Sequence, residues 1–154
     1  MKLLEDSKAI RLKIMDFLSR REHSSKEIFT KMSSRVESKG LLEVEIENLK
    51  QEGLISDERF AESYFHSRKN KGYGPLRIRN ELKQRGVGDK LYYPLANEIE
   101  WSEFALEVLK KKVRGNMPTE TKEILKLKKF LNYRGFDFQD IDRAFRLIKS
   151  ELDH

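Results

Sequence analysis

Residues 53–87 read GLISDERFAESYFHSRKNKGYGPLRIRNELKQRGV. Gly53 and Gly86 each suit the left-handed residue that ends a helix, and Pro75 suits the first position of one. Between them, Asp57 and Glu58 place acidic groups at a positive helix start. Phe60, Ala61, Tyr64 and Phe65 then fall at three- and four-residue spacing, and Ile78 and Leu82 repeat it after the Gly72-Tyr73-Gly74-Pro75 break. That period is helical, so the stretch predicts two amphipathic helices joined by a tight turn.

The same period runs outward in both directions. Ile10, Ile14, Phe17 and Leu18 mark a first helix. Ser24 opens a second, because Ser24 and Glu27 have the spacing of a capping box. Leu42, Ile46 and Leu49 mark a third, stopping at Gly53. Beyond Gly86, a helix after Asp89 carries Leu91, Leu95 and Ile99. Ser102 is the expected N-cap of the next, with Trp101 folded onto Leu106; Phe104, Val108 and Leu109 continue its apolar positions. Gly115-Asn116-Met117-Pro118 interrupts the pattern. Ile124, Leu127, Phe130 and Leu131 follow, up to Gly135, and Asp137 caps a last helix holding Ile141, Phe145 and Ile148. No alternating strand appears.

These helices sort into threes. Leu82-x-x-Arg85-Gly86-Val87 matches Leu131-x-x-Arg134-Gly135-Phe136, Phe60-Ala61 matches Phe104-Ala105, and Ile28/Met32 matches Ile78/Leu82, at offsets of 44 to 50 residues. Arg-Gly-hydrophobe at a helix end is also simple capping chemistry, so both a repeat and convergence explain it. The expectation is an all-α chain of one domain, residues 1–154. It contains about three tandem three-helix repeats, near 1–55, 56–100 and 101–154, stacked into an elongated, curved array.

Composition narrows the function classes. Charged residues make up 38% of the chain and hydrophobic ones 38%, which suits amphipathic helices with wide solvated faces. With no cysteine, disulfides and thiolate chemistry are excluded. No apolar run resembles a signal peptide or a membrane span, so a cytoplasmic protein without membrane contact is expected. His23, His66 and His154 show no ligand-like spacing, and His66 reads as a surface or edge residue. Lys71-Gly72-Tyr73-Gly74-Pro75 is neither a dinucleotide fingerprint nor a P-loop. Carboxylates are dispersed, so neither a catalytic constellation nor a metal or cofactor site is expected.

The charge is not dispersed. From Arg68 to Arg85 there are seven basic residues and one acidic one, Glu81, a local sum of 7 − 1 = +6 that equals the net charge of the whole chain. Lys69, Lys71, Arg77, Arg79 and Lys83, with Tyr73 between two glycines, are the candidate contacts for an anionic partner. Arg77 lies one turn before Glu81, which can partly neutralise it. Arg68 lines up with the Phe60/Tyr64 stripe, and both it and Arg85 also suit structural contacts. A solvated helix face is the other reading of the run.

At these residues the text resembles the RecX family. The likeness is carried by Gly53 to Tyr64, continues through Ser67 to Pro75 and Arg77 to Val87, and extends to Arg21-Glu22-His23-Ser24 and Lys128 to Phe136. Ser56 stands where an acidic residue is common, and Met1 to Lys39 match loosely. The resemblance implies tandem three-helix repeats and a regulator, not an enzyme, with no catalytic residues. It implies binding along RecA filaments on single-stranded DNA, with inhibition of strand exchange and ATP hydrolysis; the chain itself is expected to be a monomer. It supports Arg68 to Arg85 as contact surface; direct DNA binding without RecA is the rival.

Overall fold

In the computed structural model, which describes residues 2–152, nine helices account for the regular structure. They are α1 (Ser7–Leu18), α2 (Ser25–Met32), α3 (Lys39–Gln51), α4 (Asp57–Asn70), α5 (Pro75–Gln84), α6 (Asp89–Ala96), α7 (Trp101–Val113), α8 (Thr121–Tyr133) and α9 (Phe138–Leu152). Among the described residues the only strand-like pairing is an isolated parallel bridge, Leu4 to Val36. None of these helices is long and apolar enough to cross a membrane.

Most helix ends follow local chemistry. The Ser24 hydroxyl accepts the Glu27 amide at 3.0 Å, and the Glu27 carboxylate takes the Ser24 amide at 3.1 Å. Asp137 accepts the Asp140 amide at 2.8 Å and so caps α9. Burial and the nearby Asp137 carboxylate push the Asp140 carboxyl up to about 6.

Two expectations need correction. Ser102 is not an N-cap: α7 starts at Trp101, the preceding Glu100 makes no side-chain cap, and Ser102 is buried inside the first turn. The Trp101 ring packs edge-on against Phe65 at 5.8 Å, and its indole N–H donates to the Ala96 carbonyl at 3.3 Å. This hydrogen bond fixes the indole just after α6, and the helix starts two residues earlier than a cap at Ser102 would set it. In α6 the buried face is Tyr92 and Ala96, whereas Leu91 and Leu95 are half-buried and Ile99 lies beyond the helix. Tyr92 wins because it packs against Phe65 and its hydroxyl donates to the Pro75 carbonyl at 2.9 Å.

The chain forms two compact units. One holds the chain up to Tyr64 with Leu82–Leu91; the other holds Phe65–Glu81 and the chain from Tyr92 onward. The first has a core of Ile10, Ile14, Phe17, Ile28, Met32, Val36, Leu42, Ile46, Leu49 and Ile55. His23 is buried beside it, with its ring 5.8 Å from Phe17. The Lys31 ammonium lies 2.8 Å from His23 Nε2 and can only donate, so Nδ1 carries the proton, toward the Arg21 carbonyl at 3.0 Å.

Each unit also contains a joint between the start of one helix and the end of another, made by different groups. In the second, the Gly74 and Leu76 amides at the start of α5 donate to the Arg134 and Gly135 carbonyls at the end of α8, at 2.8 and 3.0 Å. In the first, Ser24 at the start of α2 donates its hydroxyl to the Arg85 carbonyl at the end of α5, 2.7 Å away. Both turns end on a glycine with positive φ, Gly86 at 83° and Gly135 at 107°. A Cβ on Gly74 would lie 2.4 Å from the Gly135 carbonyl carbon.

Three outcomes follow for stability. Phe60 is 2% exposed, so Phe60→Ala should cost about 3–5 kcal/mol in chemical denaturation. Gly74→Ala should destabilise by about 1–3 kcal/mol or more, since backbone meets backbone there. Burial, aided by Arg21 and Lys31, holds the His23 imidazole below its ordinary value of 6.5. The folded state therefore refuses a proton that the unfolded chain accepts. The stability from His23 is complete above that ordinary value and is lost as the pH falls below it. Melting temperatures between mildly acid and neutral pH should rise with pH in the protein and vary less in His23→Gln.

Candidate partner-binding surface

The turn after α4 sets the geometry. The Tyr73 amide donates to the Arg68 carbonyl at 3.1 Å and the Gly72 amide to that of Lys69 at 3.0 Å, which folds the Tyr73 ring back beneath the helix end. Three guanidinium groups then meet that ring: Arg68 at 3.8 Å from its centroid, Arg77 at 4.4 Å and Arg134 at 4.9 Å. Their spacing is that of cation–π contacts. Arg68 also forks onto the Glu81 carboxylate at 2.8 and 2.9 Å, and Arg77 reaches the same carboxylate at 3.3 Å. The side chains of Arg68 and Glu81 are only 20% and 17% exposed, so removing either would strand a half-buried charge.

The eight residues singled out by the sequence thus separate by role and place. Arg68 and Arg77 are built into a cluster in which each meets both the Tyr73 ring and the Glu81 carboxylate, as the spacing of Arg77 before Glu81 suggests. Arg79 lies over the Tyr93 ring at 5.2 Å. Lys83 lies 3.7 Å from Asp89, and Arg85 stands over Tyr64 at 4.7 Å and 3.9 Å from Glu27. Lys83 and Arg85 belong to the first unit, the other six to the second. His66 is exposed, as expected for an edge residue; His154 lies outside the described residues.

Lys69 and Lys71 open onto a cleft that the sequence pattern does not reveal. It has a volume of about 450 Å³ and brings the end of α4 together with α7 and α8. Lys111, Lys112 and Arg134 add three more cations to its lining, beside Phe104 and Phe130. The Lys69 ammonium sits 5.2 Å from the Phe104 centroid, and Lys112 sits 4.7 Å from Phe130. Arg134 donates to the Lys71 carbonyl at 3.2 Å and so ties the far wall to the Gly72 turn. The lining has one carboxylate, Glu107, 3.7 Å from the Lys110 ammonium. Five cations against one carboxylate make an anion-seeking cleft. The Lys110-Lys111-Lys112 run is its sequence signal, concealed because lysines also suit any helix C-terminus.

Among known families, the second three-helix domain of RecX matches residues 56–91 and the third matches residues 100–145. The chain is 39% identical over 143 residues to regulatory protein RecX of Pseudomonas putida KT2440, covering 92% of each chain. It is 36% identical over 143 residues to regulatory protein RecX of Pseudomonas fluorescens Pf-5, again over 92% of both. The crystal structure of RecX from Lactobacillus salivarius superposes with a TM-score of 0.80 over 93% of this chain and 96% of that one, at 22% identity. A second crystal structure, of a regulatory protein RecX, gives 0.78 over 91% and 71%, at 23% identity. These structures share the all-helical fold. The relationship in sequence runs almost the full length of the chain, and the chain belongs to the RecX family of regulatory proteins.

Proposed function

We propose that this chain, acting in the cytoplasm as a monomer, binds RecA filaments assembled on single-stranded DNA. There it inhibits the recombinase and ATPase activities of RecA and so restrains recombination and repair. The observation that carries this reading is the likeness to regulatory protein RecX over 92% of both chains. A filament is a repetitive, charged target, and the chain offers it helical repeats whose excess positive charge is concentrated between Arg68 and Arg85. No reaction is asked of the protein: a bound regulator acts by favouring one state of its partner over another.

Direct binding to DNA is the second reading, and the five-cation cleft favours it. Lysines there present hydrated point charges that suit phosphates. They are also depleted at protein–protein interfaces. Binding of that kind weakens steeply with salt and reads little sequence.

One salt titration separates the two. Fluorescence anisotropy should show tighter, less salt-sensitive binding to RecA-coated than to naked single-stranded DNA, with RecA ATP hydrolysis falling in parallel. Equal affinity for both would favour direct DNA binding, and no association with the coated strand at physiological salt would overturn the RecA reading. Lys71, Lys111 and Lys112 are exposed and outside the Glu81 network, so reversing all three to glutamate should leave helicity unchanged. The naked-strand salt slope should then fall by about 2, at roughly 0.7 for each phosphate no longer neutralised.

A further inference from the structure

A separate groove in the second unit has a different character. It lies beside the Met117–Thr119 loop, encloses about 570 Å³ and shares no lining residue with the basic cleft. Its apolar lining is Met117, Pro118, Ile124, Phe145 and Leu152. α9 already buries one stripe, Ile141, Ala144 and Ile148, in the core. Phe145, half-buried, and Leu152, 57% exposed, widen that face on the side toward the groove. On α8 only Leu131 is fully buried, so Ile124 and the first turns of that helix remain at the groove.

The rim is cationic. Lys128, Arg146 and Lys149 line it with one described carboxylate, Asp142. That carboxylate is engaged: Lys128 reaches it at 3.2 Å while standing 5.3 Å from the Phe145 centroid. The remaining charge belongs to Arg146 and Lys149, one turn apart on α9. The α9 contribution runs from Asp142 to Leu152, about 15 Å at a rise of 1.5 Å per residue, or roughly three helical turns. The long wall is α9; α8 adds the turn from Ile124 to Lys128, and the Met117–Thr119 loop, with Pro118 lacking an amide to donate, completes the lining. Helical walls offer an extended strand no main-chain edge, whereas a helix can lay its apolar face along α9.

We propose that the α8–α9 groove docks an acidic amphipathic helix of a partner protein. Its apolar face would cover Ile124, Phe145 and Leu152, and its carboxylates would meet Arg146 and Lys149. Met117, unbranched and polarizable, adapts the groove to different apolar side chains. The rim charges select the sign of the partner, while burial of the apolar lining supplies most of the attraction. The proposal is independent of RecA binding and of the basic cleft.

The test uses the full chain and two stapled, three-turn helical peptides with the same leucine stripe, one with glutamate and one with lysine on the polar face. In NMR titrations the glutamate peptide should shift the signals of Ile124, Phe145 and Leu152. It should bind about tenfold more tightly than the lysine peptide, the scale expected from two rim charges. The exposed pair R146E/K149E should abolish or invert that preference with helicity retained; if the pair loses helicity, K149Q alone should still narrow the preference. Four results would overturn the proposal. These are equal affinity for both peptides, shifts centred on Lys111 and Lys112 instead, no binding at about 1 mM, or self-association of the chain perturbing the same groove signals.

Discussion

A helix that ends leaves carbonyl groups without partners, and a helix that begins leaves amides without partners. In this protein the two deficits cancel against each other. The Arg134 and Gly135 carbonyls that close α8 accept the Gly74 and Leu76 amides that open α5. The negative end of one helix dipole thereby meets the positive end of another. The Ser24 hydroxyl does related work at the start of α2, capping its own helix while donating to the carbonyl of Arg85. Once these turns are seated, the positions of Arg77, Arg134 and Tyr73 are decided, since all three lie within a residue or two of the joint.

This placement explains why a run of positive charge is not one uniform surface. Arg68 and Arg77 share Glu81 and clasp Tyr73, which makes them part of the framework. Lys69 and Lys71 stay at the opening of a cleft whose other cations come from helices that follow much later in the chain. Arg68 and Arg77, with their planar forks, take positions that need stacking and hydrogen bonds to a carboxylate, whereas Lys71 is exposed to water. The family relationship supplies the regulatory role, and this division separates the cations that hold the fold together from those left at its surface.

What is legible in the sequence is mainly what is decided locally. The Ser24 box, the Pro75 start, the Asp137 cap and the stops at Gly53, Gly86 and Gly135 each depend on a few consecutive residues. The inner face of α6 escapes such a reading because Tyr92 is buried for the sake of Phe65 and Pro75, both far away in sequence. Ser102 misleads for a similar reason, the packing of Trp101 against the distant Phe65. Leucine, turn and glycine-hydrophobe patterns at the ends of α5 and α8 suggest a repeat. Yet the amide-to-carbonyl closure that ends those helices, from Val87 to Leu82 and from Phe136 to Leu131, also ends α3, from Leu54 to Leu49, and α4, from Tyr73 to Arg68. The motif alone therefore says only that a helix stops. The basic cleft stays hidden because Lys111, Lys112 and Arg134 reach Lys69 only through tertiary packing.

A joint made of main-chain amides and carbonyls carries no code in its side chains. It asks for the absence of a side chain at Gly74 and Gly135, where backbones approach too closely for a Cβ, and leaves most other positions at liberty. The joint at α2 meets the same need with a side chain, the Ser24 hydroxyl on the Arg85 carbonyl, so such a seam tolerates a change of chemistry on one side as long as a donor still faces the closing carbonyl.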